Sequence, residues 1–369
     1  MIAYPDLPDD TRHVDLGFSE RQVATHKSIQ LGVLGAGSFA TSTLLPAIRR
    51  VGGTELVLVG AATGLHARHA AEKFGFRSCT TDEQEILNHA AVNTVVIATR
   101  HHLHAQQVVA ALRSGKHVFC EKPLCLNEEE LTSIVATHNE RNSQLLMVGF
   151  NRRFSSLAVR MKTFLEEVHE PLAIHYRVNA GFLPSDHWLN DPQQGGGRIV
   201  GEGCHFVDFL CYLTGSYPVE VETRSLRNPG RYSNDNVVCS LRFADGSQGT
   251  VSYLANGDKL FSKEQIEVFG GGSVAMLQDF RRLELVRSGK RRTFRSLLRQ
   301  DKGYQAEWQA FINAIQCGTE SPIPFQEVVN TMLATFALET SRGLGRPVAV
   351  TQFSGRDRLR VAGEFDRAS

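Results

Sequence analysis

The chain has 369 residues, enough for two domains with sizeable cores. Hydrophobic residues make up 42% and charged residues 21%, and the 40 Lys and Arg nearly balance the 39 Asp and Glu. This balance argues against nucleic acid or an anionic membrane as a partner. No apolar run is long enough to predict a transmembrane helix, and the mixed charges of residues 1–28 argue against a secretory signal.

The cysteines indicate the cellular compartment. There are seven, an odd number, and the closest two, Cys120 and Cys125, do not form a CxxC pair. We therefore expect free thiols and a cytoplasmic protein.

Strands and helices alternate between residues 29 and 150. Five apolar runs predict strands, the longest nearly continuous, as in a parallel sheet covered on both faces: Ile29–Leu34, Glu55–Ala62, Val92–Ala98, His117–Cys120 and Leu145–Gly149. Helices are predicted to end near Val51 and Gly115 and to cover His66–Phe74, Asp82–Asn88 and Asn127–Asn139. This alternation predicts right-handed βαβ units and a doubly wound parallel sheet.

The pattern changes after Phe150. A Gly- and Pro-rich stretch, 181–197, leads into a helix over about Ile199–Leu213, and alternating runs then predict further strands at Val219–Leu226, Asn236–Phe243, Gly249–Leu254 and Gln265–Phe269. Amphipathic helices follow at about Gln305–Ile315 and Phe325–Arg342. We expect an α/β protein: a polar extension (1–28), a Rossmann domain (29–150), a second α/β domain on a largely antiparallel open sheet (151–354) and a polar tail (355–369).

A glycine turn joins the first strand to its helix. Gly35 permits the tight turn, Gly37 allows close approach of a pyrophosphate, and small Ala40 permits close packing of helix on strand. Ser38 and Phe39 complete the turn, and the helix N-terminus favours phosphate. The alternative is a turn with incidental glycines, but its place in the first βαβ unit favours a dinucleotide.

The second strand indicates which dinucleotide binds. An Asp or Glu at its end would hold the ribose of NAD, yet no acid lies between Glu55 and Glu72. Thr63 occupies the spot, and Arg68 is near enough to pair with a 2′-phosphate. The sequence therefore slightly favours NADP over NAD, although Arg68 is equally well explained as a solvated helix residue.

Ionisable side chains follow two later strands. Glu121 and Lys122 come directly after the strand ending at Cys120, at the sheet edge where α/β folds bind ligands. Thr99 and His101 follow the neighbouring strand; we interpret His101, His102 and His104 as cleft-edge and helix-start residues, because no companion ligands have metal-site spacing. No metal is predicted.

Glu202, His205 and Asp208 are spaced three residues apart on one predicted helix. An imidazole between two carboxylates is suited to act as a general base, with the acids fixing its orientation. The alternative is a half-buried histidine capped by Asp208. The basic run Arg281–Arg299 has only one aromatic residue, Phe294, and predicts a solvated strand-and-loop face or an oligomer contact rather than a nucleic-acid site.

Taken together, these motifs resemble the glucose–fructose oxidoreductase/inositol dehydrogenase/rhizopine catabolism family (Gfo/Idh/MocA) over about residues 28–350. The markers are the Gly35–Ala40 turn, Ala98-Thr99, Glu121-Lys122-Pro123, the segment 149–154, and Gly195-Gly196-Gly197 leading to His205 and Asp208. The resemblance implies a nicotinamide cofactor, a sugar, inositol or nucleotide-sugar substrate, a homo-oligomer, Lys122 and His205 as the catalytic pair, and often a cis Lys122–Pro123 bond.

One position departs from the family pattern. Family members usually carry Asp four residues before the histidine, where this chain has Gly201 with Glu202 beside it. Either Glu202 takes over that role or the substrate is held differently. Residues 195–208 look most like a subgroup that follows a zinc-alcohol-dehydrogenase-like half in larger bacterial proteins, which implies a separate dehydrogenase partner.

We therefore expect an NAD(P)-dependent oxidoreductase acting on a secondary alcohol of a sugar. His205 would exchange the hydroxyl proton, Lys122 would bind the same oxygen, and Glu202 and Asp208 would position His205. Asn151, Arg152 and Trp188 are candidates for sugar contacts. The alternatives are redox-assisted glycoside cleavage with a retained cofactor, and a catalytically silent cofactor-binding subunit or sensor.

Overall fold

The structure is a computed structural model and describes residues 12–17, 28–141, 143–228, 230–232, 235–296 and 300–351. The chain forms a seven-stranded and a nine-stranded sheet, which confirms the predicted α/β class. The predicted tail, 355–369, and most of the predicted extension, 1–28, lie outside the described residues.

The first sheet is the predicted parallel one. Its strands are β1 His13–Asp15, β2 Ile29–Leu34, β3 Thr54–Gly60, β4 Ser78–Thr80, β5 Thr94–Ile97, β6 His117–Cys120 and β7 Leu146–Val148. They lie in the order β1-β4-β3-β2-β5-β6-β7, and all pairs except the antiparallel β1–β4 are parallel. Strands β3 and β4 are added on one side of β2, and strands β5 to β7 on the other. Ligands bind at such a topological switch point.

Strands β1 and β4 were not predicted, because each has only three residues and, unlike β7, neither lies in an apolar run of the sequence. β1 belongs to the extension and forms the edge of the sheet, where His13 pairs with Thr80. Part of the predicted extension is therefore integral to the first domain.

Helices cover this sheet: α1 Leu45–Val51, α2 Gly64–Phe74, α3 Glu83–Asn88, α4 His101–Arg113 and α5 Glu128–Glu140. A π-helical turn, Ala40–Leu44, precedes α1. Side-chain caps set the starts of three helices: Thr63 for α2, Asp82 for α3 and Asn127 for α5, whose Oδ1 accepts from the Glu130 amide at 2.9 Å.

The second sheet is largely antiparallel, as predicted, and only β8 and β11 run parallel. Its strands are β8 Ala173–Asn179, β9 Pro218–Ser225, β10 Val237–Phe243, β11 Gln248–Leu254, β12 Glu264–Gly270, β13 Ser273–Gln278, β14 Arg282–Arg287, β15 Lys290–Arg295 and β16 Val348–Ala349. Their order is β15-β14-β13-β12-β8-β11-β10-β9-β16. The basic run forms the edge hairpin β14–β15, whose outer strand is mostly exposed, in agreement with the predicted solvated face.

Four further helices complete the fold: α6 Ser156–Leu165, α7 Cys204–Thr214, α8 Tyr304–Cys317 and α9 Phe325–Leu344. Short 3₁₀ turns cover Asn151–Phe154 and Trp188–Asn190, and a π-helical turn, Ile199–Gly203, occupies the first residues of the helix predicted from 199. Helix α8 returns to the first sheet, where Trp308 and Phe311 each lie 5.7 Å from the ring of Phe119 on β6. The predicted boundary at 150 therefore does not separate two independent cores.

Candidate active site

A cavity of about 920 Å³ opens at the carboxyl ends of β2, β3 and β5. Among the residues predicted to hold a cofactor, six line it: Gly35, Gly37, Ser38, Phe39, Ala40 and Thr99. Its size is at the upper end for small-molecule sites, which suits an extended ligand such as a dinucleotide. The first strand–turn–helix unit therefore faces a space that a dinucleotide fits.

Glycine occupies the two positions of the turn for different physical reasons. Gly35 has φ +97°, and a Cβ there would lie 2.5 Å from the Ala98 carbonyl oxygen, so only glycine fits. A Cβ on Gly37 would meet nothing within 4 Å. Gly37 is thus open toward the cavity, as expected where a ligand phosphate approaches the backbone.

Five other predicted cofactor residues lie outside the lining of this cavity: Thr63, Arg68, His101, Glu121 and Lys122. Thr63 is the cap of α2, and Arg68 is an exposed side chain that donates to Glu72 at 2.8 Å, one helical turn on. His101 is buried, and its Nδ1 lies 2.8 Å from the Gly195 carbonyl oxygen. Burial lowers the pKa of His101 to about 3, so its ring is neutral.

Lys122 lies at the end of β6, and its Nζ donates to the Gly201 carbonyl oxygen at 3.1 Å. The Lys122–Pro123 bond is cis, as the family resemblance implied. The buried ring of His104 holds this segment, with Nδ1 2.7 Å from the Pro123 carbonyl oxygen. The ammonium is thereby fixed beside the π-helical turn that precedes α7.

The structure explains why Gly201 carries no carboxylate. A Cβ at this position would lie 2.7 Å from Leu189 Cδ1 and 2.8 Å from the Gly195 carbonyl oxygen. The loop before the helix has filled the space that the family Asp would need.

His205 is the second residue of α7 and is only 8% exposed. Its Nδ1 is buried without a hydrogen-bond partner among the described residues. Burial lowers the pKa of His205 well below its usual value, and the nearby cations Arg152 and Lys122 lower it further. The imidazole is therefore neutral at neutral pH and able to accept a proton.

The predicted carboxylate partners of His205 bind elsewhere, so that interpretation was wrong. Asp208 accepts from Arg153 Nε at 2.8 and 2.9 Å, and Glu202 accepts from Arg198 Nε at 3.0 Å and from the Tyr253 hydroxyl. The physical reason is that a guanidinium compensates a buried carboxylate better than a neutral imidazole does. Burial raises the pKa of Asp208 to about 6, although Arg153 opposes this shift.

Asn151 and Arg152, predicted to contact sugar, are buried and bound within the protein. Arg152 donates from Nε and Nη2 to the fully buried Glu264 at 2.7 and 3.1 Å, and Asn151 donates to the Lys302 carbonyl at 2.7 Å. These contacts tie the turn after β7 to β12 and to the segment before α8. Spacing alone does not reveal them, because the partners lie more than a hundred residues away in the sequence.

Trp188, the third predicted sugar contact, lines the cavity on the loop from the second domain. The Arg100 guanidinium lies 4.1 Å from its ring centroid, and the His101 ring lies 4.8 Å away, edge to face. Trp188 therefore closes the cavity at the side nearest to His101.

Two buried acids repel each other electrostatically: Glu121, which was predicted to hold the cofactor, and Glu307, which no sequence motif singled out. Burial raises the pKa of Glu121 to about 7 and that of Glu307 well above its usual value. Three of their four carboxyl oxygens have no partner among the described residues. The available signal was Glu307 itself, which stands four residues before Phe311 and seven before Ala314 on the apolar stripe of α8.

The described residues show neither a metal cluster nor a membrane-spanning helix. They contain no group of three or more His, Cys, Asp or Glu side chains arranged to hold a metal ion. None of their helices combines the length and hydropathy needed to cross a bilayer.

A glycine turn that lines a cavity at a topological switch point, in a chain built on two sheets, is the site of a dinucleotide-binding protein. The chain belongs to the Gfo/Idh/MocA oxidoreductase family: residues 29–150 match the oxidoreductase family with an NAD-binding Rossmann fold, and residues 166–273 match the GFO/IDH/MocA C-terminal domain.

Curated relatives include a 1,5-anhydro-D-fructose reductase of Ensifer adhaerens, 30% identical over 223 residues, which are 58% of this chain and 66% of that protein. A levoglucosan dehydrogenase of Pseudarthrobacter phenanthrenivorans is 28% identical over 224 residues, 52% of this chain and 56% of that protein. The matches thus span less than two thirds of either relative.

Solved structures extend the similarity of fold over most of the chain. Levoglucosan dehydrogenase in complex with NADH and levoglucosan superposes with a TM-score of 0.78 at 23% identity, covering 88% of this chain and 100% of that one. At this identity the likeness establishes the fold alone.

Proposed function

We propose that this protein is an NAD(P)-dependent oxidoreductase that transfers a hydride between nicotinamide and a secondary alcohol or ketone of a sugar, inositol or nucleotide sugar. The observation that carries the proposal is the open glycine turn that lines the cavity. Lys122 and the neutral imidazole of His205, which is close enough for the Lys122 charge to lower its pKa, support it. The names of the relatives, a sugar reductase and a sugar dehydrogenase, support the substrate class.

A nicotinamide dinucleotide supplies the hydride chemistry when it is bound, and the chain supplies the proton and the charge. The His205 imidazole accepts the hydroxyl proton of the substrate in oxidation and returns it in reduction. Lys122, held at the Gly201 carbonyl, donates a hydrogen bond to the same oxygen and stabilises the negative charge that develops there. The glycine turn and the first residues of its helix bind the pyrophosphate.

The test uses Lys122→Ala and His205→Asn with levoglucosan, myo-inositol and 1,5-anhydro-D-fructose as substrates. Each variant should lower kcat about 10²- to 10⁴-fold while leaving the Kd of NADH unchanged. Turnover that survives in both variants would overturn the assignment. Sugar release without net change in nicotinamide absorbance would favour redox-assisted glycoside cleavage instead, and tight cofactor binding without turnover would favour a silent subunit or sensor.

The cofactor site should accept NADP(H) as well as NAD(H). No acid stands at the end of β3 to repel a 2′-phosphate, and the exposed ion pair of Arg68 with Glu72 is weak enough for Arg68 to turn toward one. Titration with NADH and NADPH tests this: Arg68→Ala should weaken NADPH binding alone. A wild-type protein that binds NADH and not NADPH would contradict it.

We also propose a cytoplasmic homo-oligomer. The seven cysteines are free thiols, six of them buried, which suits a reducing compartment. The outer face of the second sheet presents Val238 and Phe269, 40% and 41% exposed, as candidates for a subunit contact. Sedimentation of the purified protein would test this, and a monomer would contradict it.

A further inference from the structure

One acid lining the cavity, Glu83, has no role in the scheme above. It is the first residue of α3, directly after β4, and it lies in the wall of the cavity together with Thr81 and Gln107. Strand β4 lies beyond β3 on the side of the sheet opposite to β6 and Lys122. Because a bound dinucleotide would have its pyrophosphate at the turn after β2 and its ribose at the end of β3, the wall beyond β3 would face the adenine base.

The Glu83 carboxylate is held in a defined orientation. The Thr99 hydroxyl donates to Gln107 Oε1 at 2.7 Å, and Gln107 Nε2 donates to Glu83 Oε2 at 2.7 Å. Gln107 is 3% exposed, so this chain of hydrogen bonds lies along the cavity wall rather than in solvent. Within the described ranges Glu83 Oε1 accepts no hydrogen bond, and it is the oxygen left for a ligand.

The surrounding wall fits a purine. Ala61 and Leu103 contribute apolar surface to the same cavity, and Thr81 adds one hydroxyl. A flat base placed against this apolar surface would find in Glu83 Oε1 a hydrogen-bond acceptor for its exocyclic amine. A carboxylate accepts this hydrogen bond more strongly than a neutral group does.

We propose that Glu83 reads the adenine base of the cofactor by accepting a hydrogen bond from its exocyclic amine through Oε1. The inference rests on the proposed cofactor and adds a selectivity that the proposed reaction does not require. Hypoxanthine carries a carbonyl where adenine carries the amine, so the carboxylate would face an acceptor instead of a donor. The protein should therefore reject the hypoxanthine analogue of the coenzyme.

The experiment measures the Kd of NADH and of nicotinamide hypoxanthine dinucleotide, reduced form, by calorimetric titration without any sugar. The wild-type protein should bind the hypoxanthine analogue about 10- to 100-fold more weakly, the ratio expected for one hydrogen bond to a charged group. Glu83→Ala should remove this ratio. In Glu83→Gln the carbonyl remains directed at Gln107 Nε2, so the new amide faces the base and should favour hypoxanthine.

Glu85→Gln is the matched control, because Glu85 lies on the same helix, bonds to His13 at 2.9 Å and does not line the cavity. It should leave the wild-type ratio unchanged. Equal wild-type binding of the two dinucleotides, or a ratio that persists in Glu83→Ala, overturns the inference while the proposed function stands. Absence of binding of both NADH and NADPH overturns the proposed function and this inference with it.

Discussion

Gly201 offers the sharpest test of how the site is built. If Gly201 reflected only the loss of a carboxylate, replacing it with alanine would leave the stability of the fold unchanged or raise it. The structure predicts the opposite, because a Cβ would lie 2.7 Å from Leu189 Cδ1, 2.8 Å from the Gly195 carbonyl oxygen and 3.1 Å from His101 Cε1. One of these neighbours is backbone and cannot swing away.

The expected cost follows from overpacking of a filled site. Gly201→Ala should lower the free energy of unfolding by about 1–3 kcal/mol, or about 1–2 °C in Tm for each kcal/mol in a chain of this length. Gly203→Ala is the matched control, since it lies in the same π-helical turn and its Cβ would approach no atom more closely than Ile199 Cγ2, at an ordinary 3.7 Å. This control should be neutral or gain up to about 1 kcal/mol from the reduced entropy of the unfolded chain.

The assay is thermal and urea unfolding of both variants without cofactor, followed by near-ultraviolet circular dichroism. Equal stability of Gly201→Ala and Gly203→Ala would refute the explanation that the loop fills the place of the missing carboxylate. A Gly201→Asp variant should be at least as unstable as Gly201→Ala, because the larger side chain meets the same backbone.

Two further outcomes are expected. Arg152→Met should lower the free energy of unfolding, measured in urea, by about 3–5 kcal/mol, because it removes the bidentate partner of the fully buried Glu264. The control Arg242→Met, in an exposed ion pair, should lower it by at most about 1 kcal/mol. Similar losses in the two variants would contradict the assigned burial. Burial raises the pKa of Glu121 in the folded state to about 7, so the native protein retains a proton that the unfolded chain has lost, and stability falls as pH rises from about 4.5 through 7. Glu121→Gln should flatten that fall, measured as the free energy of unfolding at about pH 5 and about pH 8, and an unchanged slope would exclude Glu121 as its source.

Most of the first domain could be predicted from the sequence because the signals that specify it are local. Buried parallel strands such as β2 are apolar throughout, and Gly35, Gly37 and Asn127 act through their own backbone or that of a neighbouring turn. The short strands β1 and β4 could not be predicted, since each has three residues and neither lies in an apolar run of the sequence.

The surroundings of His205 were less predictable. A helical wheel places Glu202 and Asp208 near it, yet each carboxylate pairs with an arginine, Arg198 or Arg153, and only Arg198 stands nearby in sequence. Charge compensation in a buried site is decided by tertiary structure, and spacing along one helix does not encode it. For the same reason Arg152 was predicted as a ligand contact and serves as a buried ion-pair partner.

The return of α8 to the first sheet limits how this architecture can be exchanged between proteins. The aromatic cluster of Phe119, Trp308 and Phe311 is completely buried, although Phe119 lies on β6 and the other two lie on α8, far away in the sequence. A chimera that grafts another substrate lobe after residue 150 would leave Phe119 facing water. New specificities on this scaffold must therefore come through the loops or through transplants that bring a matching α8 with them.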